Sequence, residues 1–177
     1  MTTSYSASPN HKVSKSSTSG LRLSSQRLRR SVSDNIRDDF VFDESHARTE
    51  RVILVDDDSS VRTATQHILE YLGFEVQAYP DGQTAIQAIA RDRQPISLLV
   101  TDYNMPGLSG YELAQLVRTQ RPEVPILITS GAAEDSILAE VDPSEMPPFI
   151  QKPYGLKSLA HKVREILDLA TTKSPSQ

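Results

Sequence analysis

The stretch Ser97–Gly110 reads SLLVTDYNMPGLSG. It opens as a short apolar run, stops on an acid and becomes a string of residues that break regular structure. A run of this length bounded by turn signals suits a strand buried on both faces of a parallel sheet. Asp102 then stands just past the strand's C-terminal end, the edge at which open α/β sheets bind ligands. Pro106, Gly107 and Gly110 interrupt the chain before the next helix begins. The stretch predicts a carboxylate held at the mouth of a sheet by a stiff turn. Taken alone, such a residue could equally be a turn or capping aspartate, and the flanking segments decide between the two.

Upstream, Val52-Ile53-Leu54-Val55 is a second apolar run that ends on acids, Asp56-Asp57-Asp58. Ser59 and Ser60 are candidate helix caps. Val61, Ala64, Ile68 and Leu72 recur at helical spacing, and Gly73 ends that helix. Phe74 to Tyr79 alternates as an edge strand should. Pro80-Asp81-Gly82 starts a second helix, with Ala85, Ile86, Ile89 and Ala90 on its inner face.

Downstream, Leu113, Leu116 and Val117 mark a third helix that ends before Pro122, and Pro125 to Thr129 is another buried strand. Residues 132–141 make at most a short helix, cut off by Pro143. Phe149 and Ile150 form a brief strand before Lys152-Pro153. Leu156, Leu159, Ala160, Val163, Ile166 and Leu167 then give the strongest helical stripe of the chain. The order is (βα)₅, which implies a doubly wound α/β fold with a five-stranded parallel sheet. The common strand order for such a sheet is 2-1-3-4-5, and it puts the alternating second strand at an edge.

Composition limits what else the chain can be. Its 177 residues hold 37% hydrophobic side chains and its net charge is −4, so the whole protein is not a general nucleic-acid binder. There is no cysteine, which excludes disulfides, thiol catalysis and cysteine metal sites, and fits a reducing, cytoplasmic setting. No apolar run approaches the roughly 18 residues a membrane helix needs. Residues 1–48 are rich in Ser, Thr and Arg, with no acid before Asp34. Such a segment cannot bury enough apolar surface to offset its ordering entropy and reads as disordered. It could be a plain flexible tail, an Arg- and Ser-rich transit peptide, or a tail regulated by phosphorylation at Ser31 or Ser33 beside Arg29-Arg30. The folded region is expected over 51–170, with a disordered end at 171–177.

The chemistry sits at the strand ends. In the order 2-1-3-4-5, strands one and three are neighbours, so Asp56, Asp57 and Asp102 converge. At an effective dielectric of about 20, two carboxylates about 4 Å apart repel by about 4 kcal/mol, so three unpaired charges would cost on the order of 12 kcal/mol. Protonation, a cation or wider spacing must relieve this. Oxygen ligands without histidine favour Mg²⁺, to which the backbone carbonyl of Asn104 could contribute. Thr129 and Ser130 bring hydroxyls and backbone donors from the fourth strand end, and Lys152 brings an ammonium from the fifth. Acids, hydroxyls and a lysine are what phosphoryl transfer to a carboxylate requires.

Asp56-Asp57, Asp102 to Gly107, Thr129-Ser130 and Lys152-Pro153 together resemble the receiver domain of two-component response regulators, the CheY-like, flavodoxin-like fold, over about Arg51 to Leu169. The resemblance implies that Asp102 accepts the phosphoryl group, that Asp57 binds Mg²⁺ directly and that Asp56 lies one shell out. It implies that Thr129 and Lys152 contact the phosphoryl group, that Phe149 is the aromatic partner of Thr129 in the switch, and that the bond before Pro153 is cis. It implies a phosphohistidine donor, either a sensor histidine kinase or a histidine phosphotransfer protein. Catalysis would be limited to self-catalysed phosphotransfer and autodephosphorylation.

With no effector domain in this sequence, output is expected through a protein target on the face of helix four, strand five and helix five, or through onward phosphotransfer. Neither direct nucleic-acid binding nor a membrane span is expected. A receiver-like interaction module that acts without phosphorylation is the alternative. A phosphatase using Asp102 would want an acid two residues on, where Asn104 stands. His67 and His161 lack a supporting motif and read as solvated helix residues.

Overall fold

The computed structural model describes residues 50–132 and 145–173. Contacts divide the chain at Ala47–Arg48, and the expected disordered tail lies outside the described residues, as do the serines beside Arg29-Arg30. The second unit contains β1 (Arg51–Val55), α1 (Ser59–Tyr71), β2 (Glu75–Tyr79), α2 (Gly82–Arg91), β3 (Leu98–Asp102), α3 (Gly110–Gln120), β4 (Ile126–Ser130), β5 (Phe149–Gln151) and α4 (Leu156–Lys173). The predicted fourth helix falls almost wholly outside the described residues, so α4 here is the C-terminal helix. It continues through Lys173, three residues past the expected boundary at 170.

All strand pairs are parallel and the order is β2-β1-β3-β4-β5, as the alternating pattern of the second strand predicts. Strands β1, β3 and β4 are buried at every position. Their side chains still sort by the two-residue repeat. Ile53, Val55, Leu99, Ile126 and Ile128 pack with Ile86 and Ile89 of α2 and Leu113 and Val117 of α3. The alternate residues, Val52, Leu54, Leu98, Val100 and Leu127, are also buried. They point to the opposite face, which α1 and α4 cover with Leu69, Leu159 and Val163.

Helix faces were legible to within a residue or two. Val61 and Ile68 are half-buried, but Ala64 is exposed and the seam of α1 runs through Thr65, Leu69 and Leu72. Ala90 and Leu116 also turn outward, whereas Ala114 is buried. Thr65 escapes a reading based on apolar spacing because its hydroxyl is satisfied by a residue 89 positions away. The cap of α1 is Asp58 rather than Ser59 or Ser60. Its carboxylate accepts from the Ser60 and Val61 amides at 2.8 and 3.1 Å, and these bonds hold its acid strength above that of a free aspartate.

Arg51 opens β1 as a buried cation. It donates to Gln94 at 3.0 Å and pairs with Asp92 across a short contact. Among the described residues its Nε and second terminal nitrogen have no partner. Removing Asp92 would leave the guanidinium without its counter-ion, though Asp92 is itself part-exposed and the loss is screened accordingly. Asp92→Ala is expected to be destabilising, measured as a lower midpoint in urea at unchanged slope.

Candidate functional site

Three strand ends build the site. β1 stops at Val55 and delivers Asp56, which is 1% exposed, with Asp57 and Asp58 exposed beside it. β3 ends on Asp102, 6% exposed. After β5 the chain turns through Lys152, whose bond to Pro153 is cis, as the resemblance implies. The Lys152 ammonium donates to Asp56 Oδ2 at 2.8 Å and to Asp102 Oδ1 at 2.6 Å. Asp56 and Lys152 stand 96 residues apart in the chain.

The charges on this cluster respond to one another. Burial pushes the Asp102 carboxyl above the ordinary aspartate value; the Lys152 bond pulls it back, while repulsion from Asp56 and Asp57 adds to the rise. Burial works against the Lys152 ammonium too, but its bonds to Asp102 and Asp56 outweigh that and raise its affinity for the proton. Three carboxylates against one ammonium leave two negative charges at the mouth of the sheet.

That imbalance and an all-oxygen donor set fit a hard dication. Among the described residues no three acidic or histidine side chains form a ligand cage by themselves. The predicted convergence of three carboxylates is therefore looser than a closed site. An ion here would draw on a backbone carbonyl and waters as well as carboxylates, as Mg²⁺ commonly does.

The hydroxyl side is also assembled. Thr129 lies beside Asp102 in register and is buried. Its carbonyl accepts from the Tyr103 amide at 2.7 Å, which fixes the end of β4 against the turn after Asp102. Ser130 is buried, and its hydroxyl accepts from the Ala132 amide at 3.0 Å, so its side chain closes the turn after β4. Phe149 is half-buried, pairs in register with Ile128 and packs on the α2/α3 cluster. Thr129, one residue on from Ile128, belongs to the other face. The two predicted switch residues therefore lie on opposite faces of the sheet. Asn104 is exposed in the turn after β3, while His67 and His161 are exposed on their helices.

Several supporting residues were not foreseen. Arg62, one turn into α1, bonds the carbonyl of Asp56 and lies 3.4 Å from that of Asp57, strapping the acid pair from behind. Its position four residues after the Asp58 cap was the available signal. Gly110 brings the start of α3 against the Asp102 carbonyl. Tyr154 binds Thr65 of α1.

The family model described as "Response regulator receiver domain" matches residues 52–164. The response regulator MprA of Mycobacterium leprae (strain TN) is 33% identical over 119 residues, covering 66% of this chain and 50% of that protein. The CAI-1 autoinducer sensor kinase/phosphatase CqsS of Vibrio cholerae is 35% identical over 116 residues, covering 64% of this chain and 17% of its own length. The chain thus spans about half the length of its MprA relatives. Among solved structures, a CheY-like receiver domain protein from Methanospirillum hungatei JF-1 superimposes with a TM-score of 0.61 at 26% identity, covering 71% of this chain and 98% of that one. A receiver domain protein from Clostridium thermocellum gives 0.64 at 18% identity, a likeness of fold. The receiver domain is a phosphoacceptor signalling module. The chain belongs to the response regulator receiver domain family of two-component systems.

Proposed function

We propose that this chain takes a phosphoryl group on Asp102 from a phosphohistidine, carried by a sensor histidine kinase or a histidine phosphotransfer protein. The observation that carries the reading is the Lys152 ammonium bonded at once to Asp56 and Asp102. It sits where a phosphoryl group on Asp102 would need a countercharge. In the transfer a carboxylate oxygen of Asp102 forms the new bond to phosphorus as the phosphorus–nitrogen bond of the donor breaks. The electron pair stays on the ring nitrogen that held the phosphorus, and the imidazole leaves neutral with its proton on the other nitrogen.

Mg²⁺, when bound, would supply positive charge to the phosphoryl oxygens. Asp57, Asp102 and the Asn104 carbonyl would hold it, with Asp56 behind them. Lys152 neutralises a further oxygen, and Thr129 offers a hydroxyl beside it. Because Thr129 and Phe149 lie on opposite faces of the sheet, their coupling as a switch would run through the end of β4. Output is read by a protein target at the face of the predicted fourth helix, β5 and α4, or leaves as onward phosphotransfer. The completeness of the acid, hydroxyl and lysine set supports this over an interaction module that works without phosphorylation. Among the described residues no helix is long and apolar enough to cross a membrane.

The test is intact mass after incubation with acetyl phosphate and Mg²⁺: one acid-labile phosphoryl group, mapped to Asp102, is expected. A wild-type protein that gains none overturns the reading. The metal is checked separately. Mg²⁺ should raise the melting temperature of the wild type by linkage, and Asp57→Ala should abolish that rise; calorimetry that finds equal Mg²⁺ binding in both would remove Asp57 from the ligand set.

A further inference from the structure

Tyr154 follows Lys152 by two residues and is not used by the phosphoryl chemistry described above. Its ring leaves the turn after β5 and crosses to α1, where its hydroxyl meets Thr65 Oγ at 2.9 Å. Thr65 is 1% exposed, a polar residue in the middle of the buried seam of α1. Burial holds the Tyr154 proton on more tightly than usual, with the Thr65 hydroxyl pulling the other way. Tyr154 is thus the side chain on which two elements meet: α1 through Thr65, and the turn that carries Lys152.

Each of these parts has a reason to be where it is. A buried threonine hydroxyl needs a partner, or it forfeits the full cost of leaving water. A tyrosine supplies an apolar ring and a polar tip that can donate and accept together. The Lys152 turn is also held by the Lys152 amide, which donates to the Ser130 carbonyl at 2.7 Å, and by the Lys152 ammonium on Asp56 and Asp102. The Tyr154–Thr65 bond adds an anchor on a helix.

We propose that Tyr154 is a positioning residue that ties the Lys152 turn to α1, so that the turn is held over Asp102 and any rearrangement of Lys152 around a phosphoryl group is passed to α1. This inference rests on the reading of Asp102 as phosphoacceptor. It gives the site a second outlet, on the α1/α4 face of the sheet, opposite the face on which Phe149 packs. Coupling of this kind is reciprocal: what phosphorylation does to α1, a change in α1 does to the phosphorylated state.

Tyr154→Phe and Thr65→Val each remove one hydroxyl with little change of volume, and each breaks the same bond. The full chain, both single variants and the double variant are phosphorylated with acetyl phosphate and Mg²⁺ and then freed of donor. Loss of the phosphoryl group is followed by intact mass. Each single variant is expected to shorten its lifetime about threefold, and the double variant no further than the larger single effect, because one interaction is lost in all three. Amide NMR shifts on phosphorylation are expected at Thr65 and its α1 neighbours in the wild type. In the variants they should disappear there while persisting at Asp102 and Tyr103. A purely structural tie would lower the melting temperature and leave lifetime and α1 shifts as in the wild type; that result overturns the proposal, as do lifetime effects that multiply in the double variant. A wild type that gains no phosphoryl group overturns this inference together with the reading beneath it. A wild type that gains one, with variants that behave identically to it, overturns this inference alone.

Discussion

Asp102→Asn is expected to abolish phosphorylation by acetyl phosphate, with no gain in intact mass under conditions that convert the wild type. The amide oxygen of asparagine is close to isosteric with the carboxylate it replaces and can still accept from Lys152, so the fold persists. What is lost is the nucleophile, because an amide carries no anionic oxygen to attack phosphorus. The same substitution has a second, opposite consequence. The folded protein raises the Asp102 carboxyl above its ordinary value, so between the unfolded and folded values the folded state binds the extra proton. The stability this group contributes is full below the unfolded value and falls as pH rises through the folded one. At neutral pH the wild type therefore holds a buried charge that its surroundings disfavour. Without Mg²⁺, Asp102→Asn should melt a few degrees higher than the wild type at pH 7, with the difference shrinking toward acid pH. Scanning calorimetry across that range checks it, and an equal or lower melting temperature at pH 7 would contradict the electrostatic account of the site.

Gly110→Ala is expected to be the most damaging alanine substitution among the described glycines. A Cβ at Gly110 would lie 1.9 Å from the Asp102 carbonyl oxygen, 2.8 Å from its carbonyl carbon and 3.0 Å from Thr101 Oγ. The first two are backbone atoms of a fully buried strand, which has no side-chain torsion to turn out of the way. Either α3 moves outward by more than an ångström or the end of β3 bends. Both disrupt the packing of Leu113, Ala114 and Val117, none of which is exposed. Overpacking of this severity should cost more than about 3 kcal/mol. It should also displace the Asp102 carboxylate. Urea unfolding together with the rate of acetyl phosphate labelling tests both, and a variant with wild-type midpoint and rate would show that α3 shifts without consequence. The smaller effects at Asp92 and at Tyr154 serve as contrast, since each removes one interaction and leaves the backbone in place.

The sequence by itself determined the architecture and brought most of the candidate site's residues together. Apolar runs that stop on Asp56 and Asp102 identify buried parallel strands, because only a strand covered on both faces can dispense with alternation. Once the strand order follows from the βα repeat, the strand ends fall together, and Asp56, Asp102, Thr129 and Lys152 with them. Patterning of this kind is local, and local physics is enough to read it. The tertiary structure alone decided what depends on contacts between distant segments. Thr65 is polar and yet buried, because Tyr154 satisfies its hydroxyl; apolar spacing placed Ala64 in its stead. Arg51 is charged and yet buried, because Asp92 and Gln94 reach it from the end of α2. Gly110 reads as a turn glycine, whereas its lack of a Cβ is required by a carbonyl eight residues earlier. The phase of a helix, the partner of a buried polar group and the closeness of two backbones are set by the packed neighbours, and no periodicity within one segment contains them.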